Sequence, residues 1–179
     1  LYKKISERIP GIDIIDHTEV LPKLRSTKSK AEQACVRHAC EITKVGFDNV
    51  LASMRPGANE FDVQETLEHA YRANGSRGPA YNTIVGSGIN GTVLHYGAND
   101  QELRRGDLVV IDSGADYRGY AADVTRTFPV GGKFTKRTRE IYSIVLKALE
   151  ASTKAAMPGR SFAQIDAAAR KIIAKAGHG

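Results

Sequence analysis

The chain repeats itself at a fixed spacing. Pro56 and Pro158, Gly57 and Gly159, Val63 and Ile165, Ala70 and Ile172, and Gly75 and Gly177 each stand 102 positions apart. In the first copy a helical pattern runs from Lys30 to about Ala52 and is stopped by Arg55-Pro56-Gly57. A second helix follows, with Val63, Leu67, Ala70 and Tyr71 on one face, and Asn74-Gly75 ends it. The second copy puts Ile141, Ile144, Val145, Ala148 and Leu149 in helical register up to Met157-Pro158-Gly159. Its next helix carries Ile165, Ala168, Ala169, Ile172 and Ile173 on one face and stops at Gly177. Pro-Gly and a terminal glycine are common punctuation, but matched hydrophobic faces make internal duplication the better account.

The duplication constrains the fold. In copy one the helices are followed by strand-like sequence over residues 81–130, whereas in copy two the 179 residues stop just after the helices. The expected class is α+β: two pseudo-symmetric halves, each a helix pair with strands, the second half incomplete. Residues 1–29, with Pro10, Gly11, Pro22 and mixed charges, read as the end of a preceding region plus a linker. Residues 30–179 read as a partial domain, its first half about 30–130 and the start of its second about 131–179. The first residue is Leu, so the chain is expected to begin inside a longer gene product.

Composition excludes several classes. Hydrophobic content of 41% and charged content of 26% are ordinary for a globular domain and argue against disorder. The formal charge of +6 is spread along the chain, densest at 23–30 and 133–139, so a solvated basic surface is expected and nucleic acid is not. No apolar run reaches the roughly 18 residues of a membrane span, and LYKKISERIP lacks the apolar centre of a signal peptide. Cys35 and Cys40 fall on different sides of their helix, which points to free thiols and a reducing compartment, the cytoplasm.

The strand region carries the chemistry. Tyr81 to Val85 reads as a strand, Gly86 to Gly91 as a turn, Thr92 to Tyr96 as a further strand, and Leu108 to Ile111 and Asp123 to Phe128 as a pair. Gly86-Ser-Gly88-x-x-Gly91 matches a dinucleotide fingerprint only superficially, because it leads into a strand and not a helix. Asp116-Tyr117-Arg118-Gly119 suits a type I turn. A hairpin centred there pairs residues whose numbers sum to 235, so Asp112 faces Asp123. Opposed like charges, with Cβ atoms about 4.5–5.5 Å apart, are destabilising. Three resolutions stand open: a bound divalent ion, or two bridged by a carboxylate; a shared proton; or a register one residue off that leaves one aspartate as an edge charge. Oxygen ligands favour Mg, Mn or Ca, with Zn, Co or Fe admitted if imidazole joins. His95, in Val93-Leu94-His95-Tyr96, is either a core histidine or a proton shuttle and hydrogen-bond donor to a reacting carbonyl. His17, His38, His69 and His178 read as surface or packing residues.

The segments YNTIVGSGINGTVLHY (81–96), GDLVVIDSG (106–114) and GYAADVTRTFP (119–129) closely resemble the proline-specific branch of the pita-bread metallopeptidases. That branch contains Xaa-Pro aminopeptidases and Xaa-Pro dipeptidases. The resemblance spans about Lys28 to Ala176, and IVGSGxNGxxLHY with DxTRTFPVxGKFT is nearer to the aminopeptidases. It implies a dinuclear site, commonly manganese, with Asp112 and Asp123 as metal ligands and Asp123 bridging the ions. It implies that His95 contacts the substrate and supports the reacting peptide group, and that Tyr81 lies near the substrate pocket. The implied reaction is metal-assisted hydrolysis of the bond before a proline at the second position of a peptide. A homo-oligomer is compatible with it. The family's remaining ligands, a histidine and two glutamates, and a further catalytic histidine have no counterpart in these 179 residues, so the fragment alone is expected to be inactive. Relatives that lost their ligands act as binding modules for histones or RNA; the presence of His95, Asp112 and Asp123 argues against that alternative.

Overall fold

The computed structural model describes every residue except 1, 13, 14, 16 and 179. Four long helices are Lys30–Ser53 (α3), Glu60–Ala73 (α4), Lys136–Ala155 (α5) and Phe162–Lys175 (α6). Two short helices, Tyr2–Arg8 (α1) and Val20–Ser26 (α2), lie within the stretch read as a linker, part of which falls outside the described residues. Between α4 and α5 come strands Ile84–Ser87 (β1), Leu108–Ser113 (β2), Asp116–Tyr117 (β3), Tyr120–Ala121 (β4) and Val124–Pro129 (β5). They form an antiparallel sheet in the order β1-β2-β5 and a small β3-β4 ribbon. No helix among the described residues is long and apolar enough to cross a membrane.

The repeat is present in the backbone. Ser53 and Ala155 end the first helix of each pair, Glu60 and Phe162 begin the second, and Ala73 and Lys175 end it, each 102 apart. Ser29, Asn59, Thr135 and Ser161 all close a capping box, each side chain accepting a first-turn amide while the N3 side chain returns the bond. The starts of the four long helices are therefore set by local hydrogen bonding.

The core lies between α3, α4 and one face of the sheet. Ile42, Phe47, Val50, Val63, Leu67 and Tyr71 pack there against Val85, Val109 and Ile111. Gly46 permits the contact, because a Cβ at that position would stand 2.6 Å from Tyr71 Cε1. Tyr71 thereby crosses α3 and donates its hydroxyl to Ser113 Oγ at 3.0 Å. Burial pushes that hydroxyl up to about 12. Along β2 the alternation is strict: Val109, Ile111 and Ser113 point inward, and Leu108, Val110 and Asp112 lie half-buried on the other face. Asp112 thus stands on the open side of the sheet.

The helices α5 and α6 pack on each other but are little covered. The expected face of α6 (Ile165, Ala168, Ala169, Ile172, Ile173) is half-buried, and Ala148 is the one buried residue of the pair. Val145, Leu149 and Phe162 are exposed. A groove of about 540 Å³ separates α5 from the open sheet face, between Val110 and Thr125 on one side and Tyr142 and Val145 on the other.

Two strand expectations fail. β1 begins at Ile84, not Tyr81, and continues through Gly86 to Ser87, where a 3₁₀ turn over Gly88–Thr92 begins. Gly86 serves close approach, since a Cβ there would meet the Asn90 carbonyl oxygen at 2.9 Å. Thr92 to Tyr96 is no strand: after the 3₁₀ turn the chain is irregular, and Val93 and Leu94 are exposed. An apolar pair without a neighbouring strand edge has no ladder to join.

Candidate active site

The hairpin register differs from the sequence expectation. Asp112 pairs with Thr125 and Ser113 with Val124, while Asp116 pairs with Ala121 and Tyr117 with Tyr120. These numbers sum to 237, so Asp112 and Asp123 are not directly opposed. The reason is the turn. Arg118 and Gly119 both have positive φ, 55° and 82°, the signature of a type I′ turn, whose twist matches that of the strands whereas type I would splay them. The Asp116 signal was real but local: its carboxylate accepts the Gly119 amide at 2.8 Å within the I′ turn. Asp123 lies one residue before β5 and two from Thr125, hence on the face that carries Asp112 and diagonal to it. Gly114 allows this, because a Cβ there would run into the Ala122 carbonyl.

Tyr81 joins the two carboxylates. Its hydroxyl is 2.7 Å from Asp112 Oδ1 and 3.1 Å from Asp123 Oδ1. One O–H has one proton, so the shorter contact marks Asp112 as its main acceptor. Burial, reinforced by hydrogen bonding and charge from Asp112 and then Asp123, holds the hydroxyl well above its ordinary pKa. Tyr81 is therefore a neutral donor at ordinary pH. It is placed from behind by the Ala80 amide, which donates to the Gly114 carbonyl at 2.7 Å, and by the bridge between Pro79 and Ala115. Repulsion between the carboxylates is relieved in part by a third residue, which none of the three sequence resolutions included.

His95 stands apart. It occupies an exposed turn at φ 55°, not an apolar strand. The register shows why: Ile84 of β1 lies opposite Asp112, but the chain leaves the sheet at Ser87, opposite Val109, at the far end. Among the described residues no hydrogen bond or ion pair ties its ring to Asp112, Asp123 or Tyr81. Nor do three or more His, Cys, Asp or Glu side chains gather as a metal site among the described residues. Of the expected site, the structure brings together Asp112, Asp123 and Tyr81. Cys35 and Cys40 are free thiols.

Sequence reasoning missed Glu60. Its side chain is 0% exposed although it opens α4, where acidic residues are usually solvated. The available signal was that Asp62, not Glu60, completes the capping box with Asn59, which leaves Glu60 without a local role. The carboxylate accepts from the Ser87 amide and hydroxyl, each at 2.7 Å, from Asn90 Nδ2 at 3.3 Å, from the Tyr96 hydroxyl at 2.8 Å and from the Gln101 amide at 3.2 Å.

Comparison with known proteins gives the family. Residues 34–179 match the model of metallopeptidase family M24. The chain is 46% identical over 160 residues to the Xaa-Pro aminopeptidase of Escherichia coli K12, covering 89% of this chain and 36% of that protein. It is 39% identical over 161 residues to the Xaa-Pro dipeptidase of Pyrococcus furiosus, covering 90% of this chain and 46% of that one. Among solved structures, E. coli aminopeptidase P with the inhibitor Pro-Leu superposes with a TM-score of 0.88 at 45% identity, over 90% of this chain and 37% of that one. The α+β architecture is thus the pita-bread fold, of which these residues span a part. With a helix pair, an antiparallel sheet with two carboxylates on its open face, and a second copy of that helix pair, the chain belongs to metallopeptidase family M24.

Proposed function

We propose that the gene product containing these residues is an Xaa-Pro aminopeptidase, which hydrolyses the bond before a proline at the second position of a peptide. The observation that carries this reading is the convergence of Asp112 and Asp123 on one hydroxyl, on the open face of a family M24 sheet. Two carboxylate oxygens on a half-exposed face are hard donors and fit divalent cations, Mn²⁺ first and Zn²⁺, Co²⁺ or Fe²⁺ after it. Held by Asp112 and Asp123, such ions would polarise the scissile carbonyl and acidify the attacking solvent. Tyr81 keeps the carboxylates close and, as a neutral donor, adds no charge between them. His95, on an exposed turn, donates to the reacting peptide group once substrate lies against it. Two free thiols fit the cytoplasm as the compartment.

A second reading, an Xaa-Pro dipeptidase, is favoured by the likeness to the P. furiosus protein. Substrate length separates the two: turnover of Xaa-Pro-Yaa tripeptides supports the aminopeptidase, and restriction to Xaa-Pro dipeptides supports the dipeptidase. In the full-length gene product Asp112→Asn lowers kcat/KM by at least about 100-fold, more than loss of an outer-shell partner costs. Undiminished hydrolysis in that variant overturns the assignment. With two gathered carboxylates, the isolated 179 residues bind Mn²⁺ weakly and do not turn over Xaa-Pro peptides, which calorimetry and the same assay check.

A further inference from the structure

We propose that Glu60 is the positioning residue for His95, holding in place the loop that carries the imidazole. A carboxylate removed from water is unfavourable unless its lone pairs are satisfied, and no cation lies in contact with Glu60 among the described residues. All five hydrogen bonds to it come instead from one segment, residues 87–101. Oε1 takes the entry side, from the Ser87 amide and hydroxyl and Asn90 Nδ2; Oε2 takes the exit side, from the Tyr96 hydroxyl and the Gln101 amide. The main chain adds to the exit side, where the Glu60 amide donates to the Gln101 carbonyl at 2.9 Å and Asn59 bridges Glu102. The first turn of α4 favours negative charge at this position.

The loop needs such a clamp. His95 has φ 55°, a conformation that is unfavourable for a non-glycine residue and persists where neighbours impose it. The adjacent residue supplies the constraint: the Tyr96 hydroxyl donates to Glu60 and accepts from Asn90 Nδ2 at 3.0 Å, so entry and exit are tied through one phenol. Val93 and Leu94 between them are exposed and contribute no packing to hold the turn. Without Glu60 the Ser87 amide and hydroxyl and the Gln101 amide lose their acceptor together, the Tyr96 hydroxyl keeps only Asp100 Oδ1 at 3.3 Å, and the imidazole loses its place.

The use made of His95 rests on the peptidase reading, whereas the clamp rests on geometry alone. In the full-length gene product Glu60→Gln, which replaces one acceptor oxygen by an amide facing donors, lowers kcat on the order of 10- to 100-fold with KM changed less than about twofold. Introduced into His95→Ala, the same change lowers kcat by less than about twofold, as expected when one residue acts through another. Deuterium uptake rises in peptides covering residues 87–101 and stays constant in those covering β2 and β5. If Glu60→Gln does not fold, Tyr96→Phe removes the shared hydroxyl alone and gives the same pattern at smaller amplitude. Independent, multiplicative losses in the double variant, or unchanged uptake across 87–101, overturn the proposal. If the gene product hydrolyses no Xaa-Pro peptide at all, the peptidase reading falls and the uptake measurement still decides the clamp.

Discussion

The pairs α3–α4 and α5–α6 share their caps, their Pro-Gly break and their ends, yet Phe47 in the first is 6% exposed and its counterpart Leu149 in the second is 54% exposed. The difference is the sheet. α3–α4 have β1, β2 and β5 packed against them, whereas α5 stands off from the sheet across an open groove. Helix formation needs only neighbouring residues, whereas burial needs a partner layer. Where the partner is present, the pair becomes the base of a chemical site, because the strands it supports carry Asp112 on their far face and bring Asp123 beside it.

The largest test of this contrast is stability. In the 179-residue chain Phe47→Ala costs on the order of 3–5 kcal/mol, against less than about 1 kcal/mol for Leu149→Ala. Equal costs in denaturant unfolding would break the contrast. A comparable loss for Leu149→Ala in the full-length gene product alone would show that this face is covered there.

A smaller effect sharpens the comparison at one contact. Gly46 and Tyr71 meet where Ala148 and Ile173 stand one repeat later, so the small and large partners change together. Gly46→Ala presses a methyl into the Tyr71 ring, and overpacking of about 1–3 kcal/mol exceeds the roughly 0.5–1 kcal/mol that alanine gains over glycine in a helix. Adding Tyr71→Ile rebuilds the second copy's pair and recovers part of the loss. A double variant no better than the sum of its singles would show that the two copies do not share this crossing.

The smallest effect is alkaline and confined to the first pair. Tyr71 is raised from 10.0 to about 12 by burial, so the folded state holds its proton more tightly than the unfolded chain does. Its contribution is complete below pH 10 and declines as pH rises from 10 to about 12. Tyr71→Phe flattens the fall of stability across that window relative to wild type, as pH-dependent unfolding reads. An unchanged slope would mean that this hydroxyl is not sequestered.

Much of the fold was legible because its signals are local. The Pro-Gly and terminal-Gly stops act on the residues beside them, and the 102-residue offset survives in the ends of the second helices. The aspartates were legible as a pair but not in their arrangement. Asp116-x-x-Gly119 is compatible with two turns that use the same carboxylate-to-amide bond, and the twist of the flanking strands selects between them. The Val93-Leu94 run was misread for a related reason: an apolar dipeptide does not say whether a strand edge is near. Glu60 was missed because first-turn acids look alike whether solvated or buried, and only the pairing of Asn59 with Asp62 sets it apart.

The sequence by itself determined the helix boundaries, the duplication, the open-face aspartate of β2 and the presence of a two-carboxylate hairpin. These depend on caps, periodicity and spacing, which are properties of neighbours along the chain. Only the tertiary structure decided that Asp112 and Asp123 meet through Tyr81 and not face to face, that His95 rides on an exposed loop, and that Glu60 holds it. Those outcomes depend on groups dozens of residues apart competing for the same hydrogen bonds, and that competition is settled only when the layers are packed.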